Sequence, residues 1–291
     1  MYKLFQVELY KIFRRPRTYL SFAGIGIFIV IIQLGLKVDG KELIEFVLGD
    51  LSNSFQFDGK MLNGYFVCYV LLQSLLVHVP LLIALIAGDM ISGEAGMGTL
   101  RLLLSKPISR TQFVLAKFFA AMIYTLLLLV WVAFLSLFVS MFIFGTDDMI
   151  LLKNTHLVQI AENDIFWRYI CAFFFAAIAM TTVAALAFFL SQFSENSLGP
   201  IVATMLIIII LTIFSTMSIP IFNKIKPYMF TTHMVAWKEF FDVKVDENNV
   251  NIAGSIARPE KITNSVIVLI IHIIGFVSLS VYTLRKKDIL S

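Results

Sequence analysis

Apolar residues dominate this chain in long runs, and polar residues gather in short stretches between them. Six runs, at about 18–36, 64–88, 118–145, 168–190, 198–222 and 265–284, are long enough to predict helices. A helix needs roughly 20 residues to cross about 30 Å of hydrocarbon. Each crossing segment must satisfy its own backbone hydrogen bonds in lipid, which makes helix the expected form. The third run exceeds the minimum, so tilt or an extension along the interface is expected. The runs are read as free of Asp, Glu, Lys and Arg, which predicts an uncharged bundle. The expected fold class is an all-α integral membrane protein with six transmembrane helices, forming one domain over 1–291.

The stretches outside the runs set orientation. MYKLFQVELYKIFRR places Tyr2, Phe5, Leu9, Ile12 and Phe13 on one helical face, with Lys3, Lys11, Arg14 and Arg15 elsewhere. That pattern predicts an amphipathic helix lying in the interface over 1–17, ended by Pro16. Glu8 and the length of the following run argue against a cleavable signal peptide. Basic residues cluster at Lys3, Lys11, Arg14, Arg15 and Arg17, at Arg101, Lys106, Arg110 and Lys117, and at Arg285, Lys286 and Lys287. Short basic segments mark the cytoplasmic side, so both termini are expected inside. The outer loops are then 37–63, 146–167 and a large last one at 223–264. In the last, Pro220 and Pro227 break helix continuity. A re-entrant or surface-lying hairpin is expected at 220–241 and a loop at 244–261.

Composition agrees with lipid as the solvent. Of 291 residues 59% are hydrophobic, 28 are Phe, and mean hydropathy is +0.89. Soluble domains usually hold roughly 45–50% apolar residues. Net charge is only +4. Cys68 and Cys171 fall inside apolar runs and read as packing residues, with no metal or disulfide framework. No metal, bound cofactor or nucleic-acid partner is expected. The location implied is a multi-pass protein of a bacterial inner (plasma) membrane.

Candidate chemistry is sparse. His78 stands beside Gln73 and Ser74, and Thr181 and Thr182 stand in the fourth run; these five are the candidate lining of a translocation path. Small residues repeat at Ala177, Thr181 and Ala185, and at Ala172, Ala176 and Ala184 nearby, a pattern that lets helices approach closely. GEAGMGT at 93–99 lacks the Lys of a phosphate loop, so nucleotide binding is rejected there. Ser92 and His272 raise an intramembrane enzyme as a distant alternative, with Ser92 at the cytoplasmic rim.

The most informative stretch lies between the second and third runs. SGEAGMGTLRLLLSKPISRTQFVLAKF, at 92–118, resembles the cytoplasmic segment of ABC exporter permeases of the type-2 membrane family. The matching elements are Gly93-Glu94, Gly98-Thr99-Leu100, Leu102 to Leu104, Ser105-Lys106-Pro107, Ser109-Arg110 and Ala116-Lys117. Members of that family often carry further acids where this chain has Gly96 and Arg101. The resemblance implies a permease subunit that is not itself an enzyme. A second permease subunit, identical or related, and cytoplasmic ATPase subunits that bind ATP would be its partners, besides membrane lipid. It implies ATPase docking through Glu94, Gly98, Thr99, Leu100, Arg101, Leu104, Pro107 and Arg110, and through the 191–197 loop. From the residues themselves, a short helix at 99–105 would offer Leu100, Leu103 and Leu104 to a partner cleft, with Arg101 and Arg110 pairing acids on its rim. The alternative within the same family is a mechanotransmitter or anchor acting on an extracytoplasmic partner through 223–264, as in gliding or copper-cofactor maturation systems.

Overall fold

The computed structural model describes residues 1–48, 61–105, 107–152, 157–217, 219–246 and 251–287. Lys106, the tip of the first expected outer loop (49–60) and residues 247–250 of the last lie outside them.

The N-terminal pattern forms α1 (Tyr2–Arg14), and Pro16 opens α2 (Pro16–Leu48) after an extended Arg15. Proline suits a first helical turn, where its missing N–H is not needed. α2 outruns the expected end at residue 36, because KELIEF (41–46) continues with good helix formers. Asn63 caps α3 (Gly64–Ala87) by accepting a hydrogen bond from the Phe66 N–H at 3.0 Å. The chain then steps through α4 (Asp89–Gly96) and α5 (Thr99–Leu104), with Gly98 between them at φ 68°, a left-handed conformation that favours glycine. Ser109 caps the next helix by accepting from Gln112 N–H. That helix, α6, runs from Arg110 to Phe144 and passes through a π-helical stretch at Phe134–Val139.

An antiparallel hairpin follows, which the hydropathy pattern did not predict. β1 (Met149–Leu152) pairs with β2 (Leu157–Ile160), with Met149 opposite Ile160. α7 (Glu162–Leu190) starts six residues before the expected edge. Glu162 and Asp164 lie in its first turn, where acidic side chains favour a helix N-terminus. α8 (Leu198–Thr216) stops short of residue 222, since Pro220 disfavours helix in the residue before it and starts α9 (Pro220–Ile225). α10 (Phe230–Met234), a 3-10 turn at Ala236–Phe241 and α11 (Pro259–Lys286) complete the chain.

Six of these helices are long and apolar enough to cross a membrane: Pro16–Gly40, Gly64–Ala87, Arg110–Phe144, Glu162–Phe193, Leu198–Thr216 and Pro259–Lys286. α7 is the most enclosed, packing against α3, α6, α8 and α11. Its buried Ala172, Ala179, Ala184, Ala185 and Ala187 explain how these neighbours approach so closely. The small-residue pattern therefore serves packing within this chain. The 220–241 segment folds back onto the bundle, with the buried Trp237 ring 5.3 Å from Tyr69 of α3.

One expectation is corrected. The bundle is not uncharged: Lys117 of α6 and Arg168 of α7 are both fully buried. The third apolar run begins just after Lys117 and the fourth on Arg168 itself, so hydropathy alone treats as flanks what the helices carry inside.

Candidate functional site

α1, α4 and α6 meet at one end of the bundle around four buried or half-buried charges. Lys11 donates to Glu8 Oε1 and to Glu94 Oε1, each at 2.8 Å. Lys117 donates to Glu8 Oε2 at 2.8 Å and also lies 2.8 Å from Glu94 Oε1. Two carboxylates and two ammoniums thus balance in one cluster, which is what makes charge tolerable there. Burial alone would raise the Glu8 carboxyl, but Lys117 and Lys11 beside it hold its pKa below the ordinary value. Burial likewise disfavours the Lys11 ammonium, yet Glu8 and Glu94 raise its pKa above the ordinary one.

A second knot lies next to the first. The buried Asp89 carboxylate, at the start of α4, accepts from Arg15 and from the Ser197 hydroxyl, with Arg17 at 3.0 Å. Ser197 belongs to the turn between α7 and α8, so this contact ties that turn to α4. The two segments also touch at Gly96, where a side chain would run into the Glu195 carbonyl. Any side chain at this position would force the two segments apart. The two stretches singled out in the sequence, 89–104 and 191–197, therefore form one continuous rim.

Several candidate docking residues turn inward. Glu94 is locked in the ion cluster, and Leu100 is buried in the core. Arg110 donates to the carbonyls of Leu284, Arg285 and Lys287 at 2.8–2.9 Å, so it caps the end of α11 rather than facing a partner. Gly98 makes the turn into α5, Thr99 donates to the Glu94 carbonyl at 3.2 Å, and Pro107 is exposed. Arg101 is exposed, and the Leu104 side chain lies outside the described ones. The rim also exposes large apolar side chains, Met97 and Leu102 from one segment, Phe193 from the other and Leu198 at the start of α8, each more than 60% exposed, beside the exposed Arg101, Glu195 and Asn196. The sequence pattern offers Leu100, Leu103 and Leu104 and leaves Leu102 out. The signal that would have found it is the helical phase: with Leu100 inward, Leu102 stands about 200° away.

The five candidate path residues are not brought together within one chain. Gln73 and His78 are exposed on α3, His78 lying 4.2 Å from the Phe28 ring. Thr181 and Thr182 are buried and donate to carbonyls of their own helix, Ala177 and Ile178. Ser74 does the same to Val70. None of the five lines the apolar crevice between Leu72, Val79, Leu129, Ala176 and Trp237. Ser92 and His272 are each hydrogen-bonded within their own stretch, to the Gly88 and Val268 carbonyls.

At the opposite end, Arg168 organises a folded cap. It pairs with Asp164 at 2.6 Å and donates to the carbonyls of Phe240 and Ser255. Glu239 and Asp242 pair there with Arg258 and Lys261. Hydrogen bonding to Asp242 raises the Arg258 pKa further.

Comparison with known proteins places this architecture. Residues 25–290 match the family described as a protein of unknown function, DUF2705. The chain belongs to that family. A 117-residue stretch of this DUF2705 chain is 27% identical to the uncharacterized protein YhcI of Bacillus subtilis (strain 168). The match covers 39% of this chain and 37% of YhcI, so the chain spans little more than a third of that relative's length.

Proposed function

We propose that this chain is the membrane-spanning permease subunit of an ATP-driven exporter, embedded in a bacterial plasma membrane with both termini cytoplasmic. It would work beside a second permease subunit and separate cytoplasmic ATPase subunits. The observation that carries this reading is the rim: two segments far apart in sequence join into one surface that exposes the apolar Met97, Leu102, Phe193 and Leu198 among polar side chains such as Arg101, Glu195 and Asn196. Beneath it, ion pairs tie α4 to α1 and α6. A push on the rim would be passed through these pairs to three helices at once. Burying exposed apolar side chains favours association, and basic residues nearby would fix its register. A Cys placed at Leu102 should crosslink a cytoplasmic ATPase in cells, and Leu102→Glu should abolish co-purification while the chain stays folded. Capture of lipid alone, with co-purification intact in the charged variant, would remove the docking reading.

The cap around Arg168 favours a second reading, in which ATPase work is delivered to an extracytoplasmic partner. Altering exposed positions of 251–257 would then abolish partner binding without changing ATP hydrolysis.

A further inference from the structure

Lys238 lies in the 3-10 turn Ala236–Phe241. Its ammonium donates to Gln73 Oε1 at 2.9 Å. Two other cap bases, Arg258 and Lys261, are paired with Glu239 and Asp242. Lys238 makes no ion pair among the described residues, and its ammonium lies 5.9 Å from the Trp237 ring centroid. The turn that aims it is fixed by Trp237, which is buried against Tyr69 and Phe241.

Depth makes this arrangement costly. Gln73 stands nine residues from the start of α3. At 1.5 Å per residue that is about 13 Å along a helix long and apolar enough to cross a membrane. An ammonium at such depth is expensive unless an anion meets it. With Oε1 occupied, the Gln73 amide still offers its N–H groups, and the ammonium keeps two more donors. Donors with no further acceptor among the described residues thus gather at one spot. Next to them the exposed ridge of α3 continues with the apolar Val77 and Leu81.

We propose that Lys238 and Gln73 form a binding site for the anionic headgroup of an amphiphile, whose tail lies along Val77 and Leu81. The inference rests on the membrane-spanning reading and deepens the exporter reading by naming the charge class of its ligand. A carboxylate, phosphate or sulfate would satisfy the site, each accepting charge-assisted hydrogen bonds.

The test uses the purified full chain in neutral-lipid nanodiscs, without ATPase, so its outcome is separate from the rim crosslink. The probe is a dansyl-labelled long-chain fatty acid, read by energy transfer from tryptophan, against its methyl ester. The acid should bind more tightly than the ester. Lys238→Met should weaken the acid by about tenfold or more, leave the ester unchanged, and spare the melting temperature. Lys238→Arg should retain most of the affinity. Discs containing phosphatidylglycerol separate the two sources of such a headgroup. Displacement of the probe supports the site as one for membrane lipid, and retention supports it as one for a free amphiphile. Equal binding of acid and ester, or an unaffected Lys238→Met variant, would overturn the proposal. So would a crosslink from position 238 to an acidic residue of a second copy.

Discussion

Lys117 shows what a single residue does here. Its ammonium is enclosed, with Glu8 and Glu94 both 2.8 Å away. Removing one partner of a buried pair leaves a charge without compensation, at a cost of about 3–5 kcal/mol. Lys117→Met should therefore lower stability by that order in a denaturation series. Adding Glu8→Gln should recover part of the loss; an additive double variant would contradict the cluster. The pH dependence follows from the same groups. Glu8 has a depressed pKa, so its contribution is complete above its ordinary value of 4.5 and is lost as pH falls through the folded value. Lys11 has a raised pKa, so its contribution is complete below 10.5 and is lost as pH rises through the folded value. Melting temperature should be flat between those limits with respect to this cluster, and Glu8→Gln should blunt the acid limb.

Among elements, the contact between α4 and the 191–197 turn depends on Gly96 having no side chain. Gly96→Val should cost about 1–3 kcal/mol by overpacking and speed hydrogen exchange across 191–197. Unchanged exchange in that turn would show the two segments to be independent. The sequence made the long helices legible, because uninterrupted apolar runs leave helix as the only solution in lipid. It misplaced their ends by up to twelve residues. Helix continues through polar flanks such as Lys37 to Glu45 and Glu162 to Trp167 when capping and propensity allow it, and hydropathy is blind to both. The β1–β2 hairpin was missed because eight apolar and polar residues in two short strands look like loop. For the rim, the sequence pointed to segments that the fold joins, and left open which side chains turn inward. Leu100, Glu94 and Arg110 bind their own chain, and only tertiary packing could reveal that.

At the scale of the whole molecule, buried charge sits at both ends of a largely apolar bundle. Arg168 holds the far end by reaching Asp164, Phe240 and Ser255 from one side chain. Arg168→Met should leave the Phe240 and Ser255 carbonyls without this donor and Asp164 without its cation, held then by the Trp167 and Gly254 N–H groups. The expected result is faster proteolysis within 236–258 while the helical content is kept; an unchanged digestion pattern would count against Arg168 as the organiser. Between the two ends runs α6, interrupted at Phe134–Val139. Gln33 steadies that stretch, donating to the Leu135 carbonyl and the Ser140 hydroxyl, each at 2.9 Å. One extra residue in a helical turn rotates everything beyond it by roughly 100° about the axis. The helix thereby shows Lys117 to α1 below and a different flank to α3 above. Deleting a single residue there would restore an ordinary helix and swing its upper third out of register with its neighbours.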